Sequence, residues 1–152
     1  MRIGMNFRRS AVALGLVALA IAGCGSNELE SPTAVKMKAL GGFYLEYAVG
    51  QNGKGPPNEA ALKKHIRSIP ATVLTVSGIQ PSEIDGLFNS DRDGEPLVVL
   101  YGTGISQISG KSAPLVAHEK TGKNGKRLAA FANGKVELAD EARLKELTAS
   151  KQ

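Results

Sequence analysis

Asn89, Asp91 and Asp93 stand at alternate positions of Asn89-Ser90-Asp91-Arg92-Asp93-Gly94, where side-chain oxygens and a turn-forming glycine make the front half of a calcium-binding loop. The back half is missing: Leu100 occupies the position of the bidentate glutamate, and Pro96 and Leu97 bring no ligand. An Asx-rich turn leading into a strand at Leu97–Tyr101 is the favoured reading, with no metal expected and Asn89, Asp91 and Asp93 kept as weak candidates. Gly102-Thr103-Gly104 and Gly110-Lys111-Ser112 look like phosphate cradles, but Ile105 stands where a phosphate-binding loop needs its first glycine, and Gln107 where a dinucleotide fingerprint needs glycine. Residues 102–114 are expected as a loop, and no cofactor is implied. The only histidines are His65, among Lys63, Lys64 and Arg67, and His118, beside Glu119. Neither belongs to a local catalytic pattern, and no Gly-x-Ser-x-Gly elbow presents a serine, so a non-enzymatic domain is expected.

Cys24 is the sole thiol of the 152 residues, which excludes an internal disulfide. It follows a segment ordered like a secretory leader: Met1–Ser10 carries Arg2, Arg8 and Arg9 without an acid, and Ala11–Ala22 is uncharged and apolar. That run is shorter than the roughly 20 residues of a spanning helix. Ile21-Ala22-Gly23-Cys24 resembles the lipobox of bacterial lipoproteins. The resemblance implies cleavage after Gly23, a diacylglycerol thioether on Cys24 and attachment to a membrane by several acyl chains. By the enterobacterial sorting rule, Gly25 and Ser26 in place of an aspartate imply the outer rather than the inner membrane. The expected divisions are a signal peptide over 1–23, a lipidated tether over 24–33 and a domain over 34–152.

Without the leader the formal charge of +5 shrinks, with 16 basic residues against 14 acidic ones. The lysines are dispersed and few aromatics interleave them, so a nucleic-acid partner is not expected. Aromatic residues make up 5% and tryptophan is absent, which predicts one modest core.

The elements that position these residues are legible by period. Met37, Leu40, Tyr44, Tyr47 and Ala48 recur at spacings of three and four, predicting a helix from Ala34 to about Val49, with Gly41-Gly42 inside it for close backbone approach or a kink. Gln51–Pro57 ends it, and Asn58 is placed to cap a second helix over Glu59–Ile69. Ala71–Ser77 is rich in β-branched residues and is expected as a strand, and Pro81–Phe88 as one helical turn. Leu97–Tyr101, Leu115–Glu119, Arg127–Ala132 and Lys135–Leu138 predict an antiparallel meander, followed by a helix near Asp140–Ala149. A two-residue Asn133-Gly134 turn would pair Phe131 with Val136 and Ala129 with Leu138 on the core face. The fold class is α+β: an N-terminal amphipathic helix packed on a small antiparallel β-meander, with a short C-terminal helix.

That order, with Met37–Pro57 (MKALGGFYLEYAVGQNGKGPP), Asp91–Tyr101 (DRDGEPLVVLY) and Gly125–Leu138 (GKRLAAFANGKVEL), resembles the soluble domain of type II secretion pseudopilins. Pseudopilins open with a prepilin site and a long filament-building helix; this chain has a lipobox there, so filament assembly is not implied. The resemblance implies a pseudopilin-like domain on a lipid anchor, contacting an envelope protein. An alternative is a lipoprotein that binds a small molecule or glycan with Gly102–Gly110 and Tyr44, Tyr47 or Tyr101.

Overall fold

Ser31 starts the first helix, α1 (Pro32–Gly50): its hydroxyl accepts the Ala34 N–H at 3.3 Å, and Pro32 occupies the first turn, where no amide is needed. The computed structural model describes residues 27–105 and 113–149. Cys24 and its leader therefore lie outside the described residues, as does Gly110-Lys111-Ser112. Of the expected tether, residues 27–33 belong to the fold. Glu28–Glu30 form a 3-10 turn, and Leu29 packs against the main core. The turn is fastened from both sides, since Lys38 Nζ donates to the Leu29 carbonyl at 3.1 Å and Glu28 is paired with Arg92 at 2.6 Å.

Met37, Leu40, Tyr44 and Ala48 form the buried stripe of α1, but Ala39, Gly41 and Phe43 are buried too. The helix lies between the sheet on one side and the second helix and a 3-10 helix on the other, so burial spreads around it. Its end is made by Asn52 and Gly53 in left-handed conformations, φ 54° and 83°, with the Gly53 N–H returning to the Ala48 carbonyl at 2.7 Å. Helix α2 (Glu59–Ser68) is capped by Asn58, whose side chain accepts the Ala61 N–H at 2.9 Å; Leu62 and Ile66 face the core.

The segment expected as a strand at Ala71–Ser77 is a helix, α3 (Ala71–Val76). β-Branched composition is overridden by the tertiary placement of Leu74, the one buried residue of the segment, while the exposed hydroxyls are accommodated on helical carbonyls, Thr75 on Ala71 at 2.9 Å and Ser77 on Val73 at 3.2 Å. A 3-10 helix, Pro81–Phe88, follows and buries Ile84, Leu87 and Phe88.

Four strands form an antiparallel meander in the order β1-β2-β3-β4: β1 (Val98–Val99), β2 (Leu115–His118), β3 (Arg127–Phe131) and β4 (Val136–Ala139). The C-terminal helix α4 (Glu141–Ala149) follows directly. The architecture is α+β, with α1 on one face of the sheet and α4 on the other.

The β3–β4 register differs by one residue from the two-residue-turn expectation. Ala130 pairs with Val136, Ala129 with Glu137 and Leu128 with Leu138. Gly134 has a positive φ of 76° and Asn133 does not, so a turn requiring both is not adopted. Instead the Phe131 carbonyl accepts the Gly134 N–H and the Phe131 N–H donates to Lys135, both at 2.9 Å, the bonding of a three-residue loop. The shift moves Phe131 and Ala129 to the outer face, where they join Leu115, Ala139 and Leu144 beneath α4. Leu128, Ala130 and Val136 face α1 instead. Both faces of the hairpin are buried, which explains why its sequence lacks a clean polar side.

Candidate functional site

The Asn89–Gly94 loop is organised by protein groups. Asp91 is paired with Lys36 at 2.8 Å, and its amide donates to the Thr33 hydroxyl at 2.9 Å. Asp93 accepts the Glu95 N–H at 3.1 Å on one oxygen, and the Thr121 and Gly122 amides at 3.1 and 2.7 Å on the other. Asn89 bridges to Pro96 at the mouth of the loop. Burial pushes the Asp93 carboxyl up, but the Gly122, Glu95 and Thr121 amides with the Ser90 hydroxyl outweigh it and hold it below the usual 3.8. The two aspartates are therefore directed at different partners, one to α1 and one to the β2–β3 connection. Among the described residues no group of three or more His, Cys, Asp or Glu side chains is arranged to hold a metal ion.

Between these aspartates lies a feature that the spacing concealed. Glu119 is completely buried, and Arg92 reaches it to form an ion pair. One Glu119 oxygen also accepts the Ser90 hydroxyl at 2.7 Å; the other accepts the Leu128 N–H of β3 at 2.8 Å. The second arm of Arg92 reaches Glu28 at 2.6 Å. A buried carboxylate with an arginine, a hydroxyl and a backbone amide is fully hydrogen-bonded, so its charge is tolerable where it sits. Its partners are 27, 29 and 9 residues away in sequence, which no local motif reveals.

The two histidines are far from one another in role. His118 is half-buried on β2 opposite Val98 and Ala129, and its Nδ1 donates to the Glu119 carbonyl at 2.8 Å. His65 packs edge-on against Tyr47, ring centroids 5.5 Å apart, beside a shallow groove of about 270 Å³ completed by Ala61, Lys64 and Ser68. His65 Nε2 is buried without a hydrogen-bond partner, and the Glu46 carboxylate is 4.0 Å away.

The three tyrosines do not converge. Tyr44 is wholly buried; its hydroxyl faces the Leu100 and Thr103 carbonyls at 2.9 and 3.2 Å and accepts the Thr103 N–H at 2.9 Å. Burial raises its phenol pKa against the opposing Thr103 bonds. Gly55 is required beside it, because a Cβ there would fall 2.3 Å from both the Tyr44 hydroxyl and the Thr103 carbonyl. Tyr101 is half-buried, and burial, with Glu59 and Tyr44 nearby, pushes its phenol up to about 12. Tyr47 borders the groove beside His65. Tyr44 thus fastens the segment 100–103 to α1 and is not open to a ligand.

A second groove, of about 260 Å³, lies between the start of α1 and the α3 to 3-10 junction, lined by Glu30, Pro32, Val35, Gly78, Ile79 and Leu87 among others. It is lined by Lys36 and Glu83 as well and lies where the chain enters the fold. No described helix is long and apolar enough to cross a membrane. No family model, curated protein or solved structure matches the chain.

Proposed function

We propose that this chain is a membrane-anchored envelope lipoprotein whose pseudopilin-like α+β domain makes protein contacts and is not catalytic. The observation that carries the reading is the leader ending in Ile21-Ala22-Gly23-Cys24, with the fold taking over at Asn27, three residues later. A basic, then apolar, then small-residue order suits export and cleavage, and the cysteine supplies the thiol for lipid. Gly25 and Ser26 favour the outer membrane. The non-catalytic part rests on where the chemically capable side chains are engaged: Asp91 with Lys36, Asp93 with amides, Glu119 with Arg92 and Ser90, and His118 with a carbonyl.

Metabolic labelling with a fatty acid tests the anchor. Wild type is expected to take up label and sediment with membranes, and Cys24→Ser to do neither. Wild type without label, or a Cys24→Ser chain processed and membrane-bound like wild type, sinks the reading. Crosslinking of the intact envelope tests the contact role, with a reproducible protein adduct expected and repeated absence counting against it.

A further inference from the structure

Four large apolar side chains are exposed among the described residues: Val35 at 38%, Val73 at 47%, Val76 at 90% and Val49 at 69%. The first three belong to one region. Val35 lines the groove with Gly78, and a Cβ on Gly78 would lie 3.4 Å from its Cγ1. Val76 precedes Gly78 by two residues, and Val73 is one turn back on the same side of α3. The hydroxyls of Thr75 and Ser77 turn back onto helical carbonyls, which leaves the outside of α3 rich in methyl groups. Val49 is at the far end of α1, about 21 Å from Val35 at the rise of an α-helix.

The patch adjoins the point where the chain enters the fold. Glu30 itself lines the groove, and Asn27 caps the turn that contains it. Only Gly25 and Ser26 separate Cys24 from Asn27, a reach of at most about 10 Å even when fully extended. We propose, resting on the lipid-anchored reading above, that Val35, Val73 and Val76 form a face that lies against the lipid surface holding Cys24. A diacylglyceryl cysteine sits at headgroup level, so so short a link holds the rim of the groove at the bilayer. Contact by the valines is then intramolecular in effect, and side chains too few to bind a membrane from solution suffice. Two of the three neighbouring charges have partners in the protein, Lys36 with Asp91 and Glu83 with the Gln80 amide at 2.8 Å, while the exposed Glu30 carboxylate at the rim stays at headgroup level, in water. The face suits uncharged or zwitterionic headgroups rather than a strongly anionic surface. Val49, about 21 Å along α1 from Val35, lies outside this face and serves as the distant reference position.

The test uses the lipidated chain in phosphatidylcholine nanodiscs at one chain per disc. Lipidation caps Cys24, so Val76→Cys and, as control, Val49→Cys are each the single site for an environment-sensitive fluorophore. The expected result is blue-shifted emission at position 76 with several-fold stronger quenching by headgroup-level spin-labelled lipid than at position 49. Val73→Asp in the Val76→Cys chain should return the probe to a water-like spectrum while the chain stays on the disc. Equal, water-like probes on discs that carry the lipidated chain overturn the docking face and leave the anchor standing. A chain without lipid on Cys24 overturns both. A blue shift that appears only at several chains per disc, or only when envelope protein is added, assigns the face to a second copy or to a protein partner and overturns the proposal.

Discussion

Gly41 and Gly42 are adjacent in α1, and alanine at each should act in opposite directions. In a helix interior alanine is favoured over glycine by about 1 kcal/mol. At Gly42 a Cβ would meet nothing within 4 Å, so the full propensity gain is expected. At Gly41 the same Cβ would fall 2.4 Å from the Phe131 carbonyl oxygen and 3.3 Å from the Gly134 Cα. Both are main-chain atoms, and that carbonyl is held by the Gly134 N–H at 2.9 Å, so no side chain can rotate away. Either α1 or the β3–β4 turn must retreat by close to 1 Å. Overpacking of that kind costs about 1–3 kcal/mol. The net expectation is a gain of up to about 1 kcal/mol for Gly42→Ala and, with the propensity gain set against the overpacking, a loss of up to about 2 kcal/mol for Gly41→Ala. For a domain of this size 1 kcal/mol moves the melting temperature by roughly 3–6 °C. Thermal unfolding of the chain from Gly25 onward, followed by circular dichroism, should separate the variants on either side of the parent. Stabilisation of Gly41→Ala equal to that of Gly42→Ala would refute the close approach of α1 to the hairpin turn.

Glu119→Ala should cost about 3–5 kcal/mol in urea unfolding, because it leaves Arg92 short of a buried partner and orphans the Leu128 amide. Glu119→Gln should cost less, since its amide oxygen still accepts from Leu128 and Arg92 while its NH₂ group faces Ser90; equal losses for the two would refute this bonding scheme. Asp93 has a depressed folded-state pKa, so the stability it contributes is present above the ordinary value of 3.8 and lost as pH falls through the folded-state value. Asp93→Asn should therefore show a shallower fall in stability below about pH 4 than wild type, measured by acid-dependent urea midpoints, and an unchanged slope would count against the amide cradle.

The order of elements was legible because it rests on local signals. Asn58 caps α2 as its residue type suggests, and Met37, Leu40, Tyr44 and Ala48 face inward at helical spacing. Ala71–Val76 was not legible as a helix, since Val73, Thr75 and Val76 carry strand propensity and only tertiary placement of Leu74 decides between the two. The hairpin register was off by one because Asn-Gly is compatible with more than one turn, and Phe131 finds an apolar environment on either face. In the Asn89–Gly94 loop the alternating oxygens drew attention to Asp91 and Asp93, whereas the residue between them, Arg92, joins Glu28 to the buried Glu119. Charge pairs formed across 64 and 27 residues leave no periodic trace.

That chain of charges has a mechanical consequence. Glu28 lies one residue past Asn27, ahead of the cap of α1, yet its carboxylate is held by Arg92, which is held by Glu119, which is bonded to the main chain of β3. A pull on the N-terminal end of the described chain is thus passed in two ionic steps to the middle of the sheet. Unzipping α1 from its first turn would require breaking the Glu28–Arg92 pair first, so the entry point of the chain behaves as part of the sheet rather than as a fraying helix end.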